Sequence, residues 1–378
     1  MPATLEHVEQ YIESTSGTAP PGKPPEKPPG SARLMSLDAF RGFIMIVLAA
    51  NGFGWRHLRE HPGFAWIANQ FEHVPWEGMV FWDLIQPAFM FMVGVAMPFA
   101  VARRMEDGAN SRQVLGHVAW RSLMLILLSQ MLICISGNRL QFQLINVLSQ
   151  IAFTYLIGYL ILQLRFRAQV AAALGLLAGH TLLFVLFPGP EGPWSKAGNI
   201  GGAIDSALGL KYSGYYVTIN FLSSAVTTLF GVWTGLLMQR AATHTERMRV
   251  LAGAALAGFA GGWALSAMVP MVKRIWTSSF TLFSTGWVLV MLLAFYWMVE
   301  VRGWRKPVFP LVVVGMNSIF IYSISMVLSG WIDRSVAVFT GRFLFVGDLA
   351  PVAQATAVVL VMWYLCYWLY QRKIFFKI

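Results

Sequence analysis

Three observations predict an all-α fold, a polytopic bundle of about ten transmembrane helices. Hydrophobic residues make up 57% of the 378-residue chain and charged residues only 12%. Apolar runs of about 20 residues, the length needed to cross a bilayer's hydrocarbon core, recur along most of it. The basic residues stand at the ends of those runs and form no stripe, so the net charge of +11 is read as membrane topology and not as a nucleic-acid footprint.

The runs place helices near 36–55, 78–102, 115–136, 142–164, 169–188, 217–239, 250–270, 279–299, 308–330 and 351–371. Helices are the required element because they satisfy their own backbone polar groups in lipid. An even number of spans puts both termini on one side. With that side cytoplasmic, the 28 basic residues divide 19 inside and 9 outside, the sense of the positive-inside rule. Residues 1–32 carry PPGKPPEKPPG and no apolar core of a signal peptide. They are expected to form a disordered cytoplasmic tail, with residues 33–378 forming the membrane domain.

The two cysteines, Cys134 and Cys366, both lie within apolar runs, which suggests packing and neither a disulfide framework nor a metal site. No Walker A loop, GxSxG elbow, HExxH or strand-linked GxGxxG occurs. No metal is expected. The glycine-rich stretch AGNIGGAID, Ala197 to Asp205, reads as a turn-rich lid in an outer loop.

The stretch FEHVPWEGMVFWDLIQPAFMFMVGVAM, Phe71 to Met97, carries the clearest chemical signal. Asp83 stands inside an apolar run, where ionisable groups face a cavity or a partner. It is expected about two turns, roughly 9 Å, below the start of the second helix. His73 lies in the loop above, within reach of the same outward pocket. A carboxylate that accepts an imidazole N–H fixes the tautomer and supports the protonated ring, the arrangement of a general base. An interfacial structural histidine is the competing reading, with Trp76 and Trp82 as members of an aromatic belt.

Further polar residues interrupt the apolar runs. Asp38 and Arg41 are spaced to neutralise each other on the first helix. Gln143, Asn146 and Gln150 share a face of the fourth predicted helix, lining a channel or bonding neighbouring helices. Asn317, Ser318 and Tyr322 in the ninth admit the same two readings. His180 is isolated and is read as an interior histidine.

Taken in order, RLMSLDAFRGFIMIVLAAN, EHVPWEGMVFWDLIQPAFMFMVGVAM, GNIGGAID, TTLFGVWTGLLM, the RIW of VKRIWTSSF, FPLVVVGMNSIFIY and QRKIFFKI resemble the heparan-α-glucosaminide N-acetyltransferase family in its bacterial form, from Arg33 to Ile378. The resemblance implies a transmembrane acyltransferase domain that moves acetyl from cytosolic acetyl-CoA to an amino sugar, such as a terminal glucosamine, on the far side. It places His73 at the family's catalytic histidine, with Asn51 and Asp83 at polar positions of the same site. His73 would take a proton or carry the acetyl group, Asp83 would orient it, and Asn51 would hydrogen-bond an oxyanion.

Asp38, Arg41, Trp76, Asn146, Gln150, Asn317 and Ser318 are candidates for substrate contact. Arg103, Arg104, Arg165, Arg167, Arg372 and Lys373 are candidates for the CoA phosphates by location. VLSQ replaces a VLQR-like stretch of the family, the loop between Asn51 and His73 is longer than in the human-type enzyme, and the large lumenal domain of the family is not expected before the first helix; acceptor recognition is therefore expected to differ. The absence of an N-x-S/T sequon favours a bacterial inner membrane. A homodimer is compatible with the sequence. A proton-coupled transporter lined by Asp38, Asp83 and the helix-four amides is the competing class, although the internal repeat of many transporters is missing. An O-acyltransferase on the same scaffold is the third reading.

Overall fold

The computed structural model describes residues 34–210 and 216–376; the proline-rich stretch 1–32, Arg33, Lys211 and Lys377 lie outside the described residues. Among the described residues the chain is helical, with one isolated bridge between Gly189 and Gly192 outside any strand. The main helices are α1 (Met35–Ala49), α2 (Ile85–Glu106), α3 (Ser111–Ser136), α4 (Val147–Leu162), α5 (Phe166–Leu186), the short α6 (Ile200–Ala207), α7 (Phe221–Gln239), α8 (His244–Ser266), α9 (Ser278–Tyr296), α10 (Arg305–Met316), α11 (Ser318–Thr340) and α12 (Ala350–Gln371).

Among the described residues seven helices are long and apolar enough to cross a membrane, two bent pairs pass the same test together, and α4 is a shorter apolar helix. These elements match the expected helical bundle of about ten spans. The chain is an integral membrane protein.

The bends have local causes. After α1 the axis turns by 48° into a 3-10 segment, Asn51–Leu58. Asn51, Gly52, Phe53 and Gly54 there all take positive φ, between 47° and 69°. A side chain at Gly52 would meet the Phe71 ring at 2.9 Å, so glycine lets the His73 loop pack onto the end of α1. The second bend, 71°, falls between α10 and α11 at Asn317. There the Asn317 Nδ2 donates to the carbonyl of Ile374 at 3.2 Å, and its Oδ1 accepts from the Phe376 N–H at 3.0 Å. The side chain thus ties the C-terminal segment to the helix break.

The expected helix over 142–164 begins later, at Val147, because Asn146 caps it by accepting from the Leu148 N–H at 2.9 Å. Gln143 therefore lies in the preceding coil and exchanges hydrogen bonds with Gln130 of α3. Three amides do not share one helical face.

Burial separates the centre from the rim. In the most apolar part of the Phe81–Glu106 span 72% of residues are buried, against 17% for α8. The central α2 and α7 meet at small residues, where a side chain at Gly94 would lie 2.0 Å from the Thr228 carbonyl and one at Gly231 2.0 Å from that of Phe91. Such close approach is how helices gain dispersion energy in lipid, where burying apolar surface against a neighbour brings no hydrophobic gain. The result is a rigid frame under the loops that carry the site.

A candidate active site at one end of the bundle

The segment from Glu72 to Val80 is held from three sides. The Trp76 indole donates to the carbonyl of Trp194 at 2.7 Å, Gly78 N–H donates to the carbonyl of Met271 at 2.8 Å, and the Arg274 guanidinium donates to the carbonyl of Pro75 at 3.1 Å. Loops that precede α2, α6 and α9 therefore converge at one end of the bundle. His61 reaches Asp348, before α12, at 3.2 Å on that same end.

Asp83 is not two turns into the helix. It is the third residue of a 3-10 turn, Phe81–Leu84, that precedes α2, because its Oδ2 accepts from the Val80 N–H at 3.2 Å and so caps the turn. Its Oδ1 lies 2.5 Å from the Nδ1 of His73. The side chain of Asp83 is 2% exposed and that of His73 38%. A carboxylate can only accept, so Nδ1 carries the hydrogen and Nε2 is the ring nitrogen left for a substrate. The Trp82 ring stands 6.3 Å from the imidazole.

A third charge joins this pair, from a residue whose sequence position signals only membrane topology. Lys273, in the 3-10 turn Lys273–Ile275, is buried with its Nζ 3.4 Å from the same Asp83 Oδ1. The signal available was the position of KRIW between two apolar runs, which reads equally well as an outer anchor.

Next to this cluster lies a second buried polar junction. Asp205 of α6 accepts from the Thr218 N–H at 3.0 Å, Gln150 donates to the Thr218 carbonyl at 3.0 Å, and Asn220 donates to the Arg274 carbonyl at 2.7 Å. Burial pushes the Asp205 carboxyl above its ordinary value, and the hydrogen bonding from Thr218 opposes that rise. Gln150 thus joins α4 to the loops around the site. Trp76 serves a similar fastening role.

The other predicted site residues are spread over several elements. Asn51 is exposed at the strained turn after α1. Asp38 and Arg41 pair at 3.7 Å where α1 crosses α10. Asn146 accepts from the Tyr322 hydroxyl at 3.3 Å, Asn317 binds the C-terminal segment, and Ser318 begins α11. Arg103 and Arg104 are exposed in the last turn of α2, about 30 Å along the helix from Asp83. Arg165 immediately precedes α5 and Arg167 lies in its first turn, while Arg372 covers the Trp368 ring and Lys373 follows it at positive φ. Among the described residues no group of three His, Cys, Asp or Glu side chains is placed to hold a metal.

Comparison with known proteins bears on this geometry. A family model described as heparan-alpha-glucosaminide N-acetyltransferase, catalytic, matches residues 33–195, the part that contains His73 and Asp83. Human heparan-alpha-glucosaminide N-acetyltransferase is 25% identical over 423 aligned positions, which cover 92% of this chain and 60% of the relative. The chain is similar to that family, most directly over residues 33–195. The mouse heparan-alpha-glucosaminide N-acetyltransferase is 29% identical over 94 positions, covering 25% of this chain and 13% of the relative. The chain thus spans 60% of the length of the human family member.

Proposed function

We propose that this chain is a transmembrane acetyltransferase that moves acetyl from cytosolic acetyl-CoA to the amine of an amino sugar on the extracytoplasmic side of a bacterial inner membrane. The observation that carries the reading is the 2.5 Å contact of His73 Nδ1 with the buried Asp83, which leaves Nε2 with the lone pair of a neutral ring whose side chain is partly exposed. An amino-sugar ammonium has no nucleophilic lone pair until it loses a proton. His73 takes that proton at Nε2 and releases it to solvent, the neutral amine attacks the thioester carbonyl, and His73 then removes the second N–H proton from the tetrahedral adduct and delivers it to the thiolate as the C–S bond breaks. Asp83 stabilises the imidazolium through Nδ1–H. Asn51 is the candidate donor to the carbonyl oxygen as it gains charge. In this reading Arg103, Arg104, Arg372 and Lys373 supply cations for the CoA phosphates at the opposite end of the bundle.

The test is acetyl transfer by the purified protein in lipid vesicles with labelled acetyl-CoA and glucosamine, beside a His73→Ala variant. Labelled N-acetylglucosamine from wild type and none from the variant is the expected result. Acetyl-CoA binding without transfer to glucosamine would overturn the acceptor, and a folded wild type that binds no acetyl-CoA would overturn the enzyme reading.

A further inference from the structure

We infer that Lys273 is a positioning residue for His73, acting through Asp83; the inference rests on the acetyl-transfer reading above and deepens it. Lys273 has a side chain only 6% exposed, and a buried ammonium needs a counter-charge. Asp83 is that counter-charge. The turn that presents the lysine is itself fixed. Asn220 holds the Arg274 carbonyl, the Trp276 N–H donates to the Lys273 carbonyl at 3.0 Å, and Thr277 accepts from the Val272 N–H at 3.0 Å. Trp276 completes the turn fully buried and at φ 51°, a left-handed conformation uncommon for a side chain of that size. The chain accepts that conformation in the turn that places Nζ beside Asp83.

The arrangement has a charge consequence. Lys273 and His73 address the same oxygen, Oδ1, while Oδ2 is occupied by the Val80 N–H. With neutral His73 the trio carries no net charge. It becomes +1 when His73 takes a proton. Without Lys273 the resting pair would be −1 and would draw a proton onto His73 before substrate arrives. Lys273 therefore keeps the imidazole available as a base and makes its imidazolium ready to hand the proton on.

The other charged groups around the site are engaged elsewhere or face solvent. Arg274 donates to the Pro75 carbonyl, Arg59 pairs with Glu72 at 3.1 Å, and Glu77 is exposed.

The experiment compares wild type, Lys273→Arg, Lys273→Met and Lys273→Gln in vesicles, following acetyl transfer to glucosamine against pH. The expected result is that Met and Gln move the acid limb of the kcat profile up by about one pH unit or more, with at least a tenfold loss near neutrality that recovers at alkaline pH. The KM for acetyl-CoA stays unchanged, and Arg stays within a few-fold of wild type. Equal loss at every pH in all three variants, or a profile that does not move, overturns the inference. Gln, which keeps a polar end group, serves if Met does not fold. The same proteins carrying 15N-labelled histidine, with His73→Asn used to assign the signal, are titrated by NMR. A His73 resonance that titrates at higher pH in Met or Gln supports the role of Lys273 even if wild type transfers no acetyl, whereas superimposed titrations overturn it.

Discussion

Asp83 and His73 stand 2.5 Å apart, one fixed in the first turn of a membrane-spanning helix and the other on a loop pinned to two further loops. Because the contact goes through Nδ1, replacing Asp83 by Asn exchanges a pure acceptor for a group that also donates, and the ring is free to take the wrong tautomer. Asp83→Asn is expected to lower kcat by about a hundredfold to ten-thousandfold, and His73→Ala by at least as much. The two act as a unit, so the double variant should be no slower than His73→Ala alone. Acetyl-transfer rates for the four proteins of this cycle decide it; additive losses would show that the two residues work independently.

The apolar periods made the bundle legible, because a bilayer requires runs of a fixed length. The pairing of His73 with Asp83 was legible for a related reason: a carboxylate in an apolar run needs a partner, and the nearest histidine is ten positions upstream. Lys273 was not legible in the same way, since a lysine between two apolar runs has the same sequence signature at the surface and in a buried turn. Its role depends on the path of the loop from Val269 to Thr277, which is set by long-range bonds to Asn220 and to the His73 segment. Gln143, Asn146 and Gln150 misled because helical periodicity assumes a helix, and capping at Asn146 delays its start.

Asp205 offers a pH test outside the membrane spans. Its carboxyl is raised above the ordinary 3.8 by burial, so the folded chain holds this proton at pH values where the unfolded chain has lost it. Ionisation of Asp205 therefore opposes folding: the group's contribution is most favourable below 3.8 and declines as pH rises through the higher folded value. Asp205→Asn removes that titration while keeping an oxygen for the Thr218 N–H. Thermal unfolding of both proteins from acid to neutral pH should show wild type gaining on the variant as pH falls. Parallel curves would mean that the carboxyl is not held protonated by its surroundings.

The α2–α7 contact offers a test of the frame itself. A methyl group at Gly94 would lie 2.0 Å from the carbonyl oxygen of Thr228, whereas one at Gly175, in α5, would meet nothing within 4 Å. Gly94→Ala must therefore push two central helices apart, with a cost of about 1–3 kcal/mol. Gly175→Ala gains helix propensity at no steric cost. Melting temperatures in one detergent should fall for the first variant and hold or rise for the second. Because α2 begins at the turn that carries Asp83, separating it from α7 should also lower acetyl transfer, while Gly175→Ala leaves it unchanged. Equal melting temperatures for Gly94→Ala and wild type would show that the close helix approach contributes nothing to stability.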